Sequence, residues 1–242
     1  MRTTNDFPFY NGTPVQLSTW QWCLVLAGTA LGFTALIVPI PLFEDRWGQF
    51  IPAILFATVP LAALALATPR YWKELFHRIR WREIGVMVLI ALLSLAVSLA
   101  VGVLVKKLHG MEANPVFDAM TTQSAADQSL FFLRTIPQLL GEELVTMLPL
   151  LALMTLFHSR MGLSRRAAII LAWLLSAMLF GALHLPTYGW NLVQCLVVIG
   201  SARLVLSLAY LWTKNLWVSA GAHILNDWTL FGLSLLTAGL SA

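Results

Sequence analysis

Between Ile84 and Val105 the chain runs for 22 residues without one charged side chain. At about 1.5 Å of rise per residue, a helix of that length crosses the roughly 30 Å hydrocarbon core of a bilayer. Lipid offers a backbone no hydrogen-bond partners, so a single apolar run placed there must satisfy its own groups as an α-helix. The run is one of a series. Trp20–Phe43 (broken late by Pro39 and Pro41), Gln49–Thr68, Ser129–Phe157, Ala167–Leu185, Asn191–Trp212 and Leu216–Leu236 are also strongly apolar. The pattern predicts an all-α fold, a polytopic transmembrane helix bundle of about seven spans within a range of six to eight.

Composition excludes a water-soluble domain. Of 242 residues, 59% are hydrophobic and only 11% are charged, with a mean hydropathy of +0.78. A soluble chain carries about 25% charged residues. Seven spans use about 140 residues, at about 20 each, and what remains is divided among short connections. The net charge of +4 is small, and its basic residues flank apolar segments. Membrane lipid is therefore the expected partner, and nucleic acid is not. Cys23 and Cys195 fall within apolar runs and form no CxxC pair or disulfide framework. The first apolar segment is too long for a signal-peptide core and reads as a retained anchor.

Orientation follows from the distribution of Lys and Arg. Arg2, the five basic residues of 70–82, the three of 160–166 and Lys214 gather on one side, against Arg46, Lys106 and Lys107 on the other. This ten-to-three bias predicts an integral protein of a bacterial inner (plasma) membrane, with its N-terminus cytoplasmic. The segment 70–83 mixes basic and aromatic residues and is expected to lie at the inner interface. Tyr188, Trp190 and Trp228 belong either to an interfacial aromatic belt or to a substrate path.

Two basic residues fall inside spans, Arg134 and Arg203, alongside Glu142, Glu143, His184, His223 and Asp227. A charged group at a helix centre costs roughly 2.5 to 3.5 kcal/mol on insertion scales, and such groups persist when paired or functional. All seven follow residue 130. The chain thus reads as residues 1–128, N-terminal membrane helices and loops, and residues 129–242, the helices that carry the chemistry.

Adjacent Glu142 and Glu143 point about 100° apart on a helix, so one can face a cavity while the other reaches a neighbouring helix. Two carboxylates in a desolvated setting favour a raised pKa and a general base; an ion pair with Arg203 is the structural alternative. His184 closes the fifth span in the run Phe180-Gly181-Ala182-Leu183-His184, before Pro186. His223 and Asp227, four apart, share one helical face with Asn226 beside them. Such a set suits activation of water against an amide, with the histidines and Asn226 donating hydrogen bonds to the oxyanion. Glu142, His184 and His223 also match a zinc ligand set, although HExxH is absent. A haem held by His184 and His223 would leave both glutamates without a role.

Glu142-Glu143, Phe180-x-x-x-His184 and His223-x-x-x-Asp227, in that order on successive helices, resemble the CPBP intramembrane protease family, which groups CAAX prenyl proteases with bacteriocin-processing and immunity proteins. Lys214-Asn215-Leu216-Trp217 leading to Ala222-His223 resembles the family's approach to its last motif. The resemblance covers about Gly141–Trp228. It implies a glutamic-type endopeptidase that uses no cofactor. Glu142 would activate water, with Glu143, His184, His223 and Asp227 as the other catalytic residues and Asn226, Arg203 and Phe180 in support. The substrate class it implies is a membrane-anchored or membrane-adjacent protein or peptide. One departure stands out. The family's Glu-Glu-x-x-x-Arg has Met147 at the arginine position, and Arg203 from another helix is expected to supply that charge. The departure also admits the alternative of a non-catalytic immunity or scaffold protein. Pro137 suits a helix start, which would place Glu142 near a helix end, close to the outer face. A re-entrant 106–128 segment would invert that placement.

Overall fold

The computed structural model describes residue 9 and residues 15–240. Arg2, one contributor to the orientation bias, lies outside the described residues. The described chain is α-helical and contains no β-strand. Its helices are α1 (Thr19–Ile37), α2 (Phe50–Ala67), α3 (Trp81–His109) and the short α4 (Pro115–Thr121). There follow α5 (Ala125–Met154), α6 (Arg165–Leu183), α7 (Gly200–Thr213) and α8 (Leu216–Leu240). Two π-helical segments adjoin them: Thr155–Arg160 continues α5, and Gln194–Ile199 leads into α7.

Six of these helices are long and apolar enough to cross a membrane: α1, α2, α3, α5, α6 and α7, with the π-helical segments included in α5 and α7. The polytopic all-α expectation holds, with six such helices in place of about seven. The expected seventh, α8, has ample length at 25 residues. His223, Asn226 and Asp227 near its middle dilute its apolar character.

One expectation is overturned. α5 does not begin near Pro137; it begins at Ala125, and both Pro137 and Pro149 lie inside it. Ser124 supplies the start. Its hydroxyl oxygen accepts from the Asp127 N–H at 3.2 Å and its hydroxyl donates to the Asp127 carboxylate at 2.6 Å, so an orphan donor of the first turn is satisfied. Glu142 therefore lies near the middle of a 30-residue helix, not close to its end. The polar stretch 106–128 is also largely helical: α3 runs through Lys106 and Lys107 to His109, and α4 follows.

The chain divides into two compact units. The first holds Met1–Arg78, Pro137–Ser176 and Lys214–Trp217. Within it α1 lies against α2, with Gly28 facing Ala63 and Gly32 facing Pro60, a small-residue contact of the kind that lets helices approach in lipid. Gln21 caps this pair by donating to the Ala67 carbonyl at 2.8 Å. In the α1–α2 connection, Asp45 accepts hydrogen bonds from the Gly48 and Trp47 N–H groups, which hold its carboxyl below the usual range. Asn215 accepts from the His77 N–H and donates to the His77 carbonyl, both at 3.1 Å. It also accepts from the Trp217 N–H and so caps α8.

The second unit holds Ile79–Ile136, Ala177–Thr213 and Val218–Ala242. Met87 and Ile90 of α3, Leu206 and Ala209 of α7, and Val218 and Ala222 of α8 form its buried cluster. Gln194 makes a two-way clasp with the Glu112 backbone, accepting at 2.8 Å and donating at 2.9 Å. Asn114 donates to the Tyr188 hydroxyl at 3.1 Å. These bonds join the α3–α4 and α6–α7 connections at one end. Trp228 donates to Thr135 at 2.9 Å and packs edge-on to Phe132, while Trp190 is exposed.

Candidate functional site

In the first unit α5 presents the two glutamates differently. Glu143 is completely buried, and Glu142, one position earlier, is partly exposed. The 100° between successive helical side chains produces this split. Gln138, one turn before Glu142, donates to its carboxylate at 3.2 Å. Thr146, one turn after, donates to the Glu142 carbonyl at 2.9 Å. Gly141 admits Phe56 of α2; a Cβ there would overlap its ring, so α2 fixes the depth of the helix turn that bears the carboxylates. Met147, the residue at the family's arginine position, is fully buried.

In the second unit six of the expected residues meet. His184 follows the last residue of α6, and its Nδ1 lies 2.9 Å from the Phe180 carbonyl. A carbonyl only accepts, so Nδ1 carries the proton and Nε2 presents its lone pair. The Phe180 ring is the hub. It lies 4.6 Å from the His184 ring and 6.2 Å from the His223 ring, and the Arg203 guanidinium stands over it at 5.0 Å. This is a cation–π contact made away from water.

Arg203, on α7, is the largest fully buried side chain. Its Nε donates to the Ser207 hydroxyl at 3.4 Å, and Ser207 returns a bond to the Arg203 carbonyl at 2.7 Å. Its Nη1 lies 3.5 Å from His223 Nδ1. On the other edge of the imidazole, Nε2 is 3.7 Å from Asp227 Oδ1. Asn226 Nδ2 donates to the same Asp227 oxygen at 2.9 Å, while Asn226 Oδ1 is buried and accepts no hydrogen bond. Asn226, expected to donate to an oxyanion, commits one of its two amide N–H donors to Asp227 and leaves its acceptor open.

Gly181 makes this geometry accessible. A Cβ at that position would collide with the Cys195 carbonyl of the Gln194–Ile199 segment. The end of α6 carrying Phe180 and His184 thereby packs directly on the segment that leads into Arg203. Among the described residues no group of three or more His, Cys, Asp and Glu is placed to hold a metal ion. Sequence reasoning missed Ser207 and Gln138. Both stand one helical turn from the group they hold, a spacing that could have identified them.

The segment from residue 126 to residue 229 matches the family model described as type II CAAX prenyl endopeptidase Rce1-like. Neither a curated protein nor a solved structure matches the chain. The matched stretch starts within α5 and ends in α8 just past Asp227, and it contains every candidate residue above. The resemblance carried by the three motifs is thus shown for this segment: the chain is an integral membrane protein whose residues 126–229 are similar to the Rce1-like family of membrane peptidases.

Proposed function

We propose that the protein is an intramembrane glutamic-type endopeptidase that hydrolyses a peptide bond of a membrane-associated protein or peptide. The observation that carries the reading is the cluster of buried Phe180, Arg203 and His223 with half-buried His184 and Asp227 within the family-matched segment. Glu142, the more exposed of the two glutamates, takes a proton from water as the oxygen attacks the scissile carbonyl. The oxyanion is met by an N–H from His223. Collapse of the intermediate breaks the C–N bond, and the proton held by Glu142 passes to the leaving amine. His184 Nε2 serves as a hydrogen-bond acceptor for the water. Asp227 and Asn226 hold the imidazole edge, and Arg203 supplies the cation that Met147 does not. No metal or organic cofactor enters this scheme. By the charge bias the His184 end faces outward, which suits exported substrates.

Comparison of membrane proteomes from cells carrying the wild type and Glu142→Ala tests the reading. An uncut membrane-associated protein should accumulate in the variant; identical proteomes would overturn the proposal. The full burial of Met147 favours one second reading, a non-catalytic immunity or scaffold protein. Under it, Glu142→Ala keeps full function.

A further inference from the structure

We infer that Arg203 is a positioning residue that fixes the tautomer of His223, so that the ring proton sits on Nε2. The inference rests on the proposed peptidase reading only for its consequence; its geometry stands alone. A guanidinium has five N–H donors and no acceptor. With Arg203 Nη1 at 3.5 Å, His223 Nδ1 meets a donor and must offer its lone pair. At the opposite edge Nε2 faces the Asp227 carboxylate at 3.7 Å, which attracts a proton there. Two neighbours on two different helices thus select one tautomer.

Arg203 is itself held from two directions. Ser207, one turn along α7, accepts from Nε. The face of the guanidinium lies over Phe180, whose carbonyl in turn fixes His184 with the proton on Nδ1. The two imidazoles are therefore set in opposite senses. His184 presents a bare Nε2 as an acceptor, and His223 presents Nε2–H as a donor. A hydrolytic site needs both: an acceptor toward water and a donor toward the developing oxyanion.

The test is ring-nitrogen NMR on full-length protein in lipid nanodiscs, with ¹⁵N-labelled histidine and His223 assigned by its loss in His223→Gln. The wild type should show His223 protonated at Nε2 and bare at Nδ1. Arg203→Met should give a measurable population protonated at Nδ1, and Arg203→Lys, which keeps a donor cation, should restore the wild-type pattern. Ser207→Ala, which leaves every charge in place, should shift the population part of the way and serves where Arg203→Met does not fold. A wild-type ring protonated at Nδ1, or a pattern unmoved by both Arg203→Met and Ser207→Ala, overturns the inference. These readouts need no turnover, so they are independent of the proteome comparison that tests the peptidase reading. Where a cleaved substrate is found, Arg203→Met should slow its cleavage by about 10²-fold, the scale of one lost oxyanion donor, and Arg203→Lys should recover most of it.

Discussion

Phe180 occupies a position where one apolar ring touches three polar groups, His184, His223 and Arg203. The sequence placed it in a motif four residues before His184. Its role as the common surface of two imidazoles and a guanidinium required the fold. Phe180→Leu keeps an apolar side chain but removes the π face, a contact worth about 1–2 kcal/mol when desolvated. Cleavage should fall about tenfold or more while thermal unfolding in detergent shifts little. Equal losses in both measurements would instead mark Phe180 as a packing residue. Asn226 offers a sharper separation. Its Oδ1 is buried and accepts nothing, and such an atom is costly unless a ligand pairs with it. Asn226→Leu should reduce cleavage by about 10²-fold, on the scale of a single polar contact in a site, with unfolding temperature changed far less.

At the scale of elements, the close approach of α6 to the Gln194–Ile199 segment decides where Phe180 and His184 end up. Gly181→Val puts side-chain atoms into the Cys195 carbonyl and should cost roughly 1–3 kcal/mol or more, as overpacking does. Gly85→Ala is the counterpart: nothing lies within 4 Å of a Cβ there, and a helical Gly→Ala change is worth up to about 1 kcal/mol of stabilisation. Thermal unfolding of the two variants in one detergent checks both signs. The clasp between Gln194 and Glu112 makes a separate prediction. Gln194→Leu removes both hydrogen bonds, so amide exchange at 110–114 should accelerate while the buried turns of α3 keep their protection.

The helix starts show what local sequence could and could not reveal. Ser124-x-x-Asp127 is a readable capping signal, and it placed the true start of α5 twelve residues before Pro137. Proline is favoured at a first turn, yet within an apolar helix its lost hydrogen bond is tolerated. Pro137 was therefore ambiguous and the serine was not. The two π-helical segments had no readable signal. One continues α5 and the other leads into α7, and single π-helical turns of this kind follow no residue preference.

For the whole molecule, seven long helices joined in sequence must alternate their ends if each crosses the bilayer. Two clasps agree with that alternation. The connections around Glu112 and Gln194 lie at one end, and those around His77 and Asn215 meet at one end in the other unit. With the basic segments cytoplasmic, cysteines at Arg78 and Arg160 should label from inside and cysteines at Thr122 and Trp190 from outside, in a chain with Cys23 and Cys195 replaced by alanine. All four positions are exposed. Labelling of Thr122→Cys and Trp190→Cys from opposite faces would defeat the alternation, and labelling of both from inside would invert the orientation.

By itself the sequence determined that the chain is helical and lies in lipid. Apolar runs of about twenty residues leave the backbone no other way to satisfy its hydrogen bonds there. It also picked out Glu142, Glu143, His184, Arg203, His223 and Asp227, because ionisable groups are too costly in lipid to be scattered without purpose. Tertiary structure alone decided how these groups face their neighbours. It buried Glu143 and left Glu142 partly open, turned Asn226 toward Asp227, and set Arg203 against one edge of His223 and the face of Phe180. Residue identity limits what a side chain can donate or accept, but distance and direction across helices choose which bond it makes.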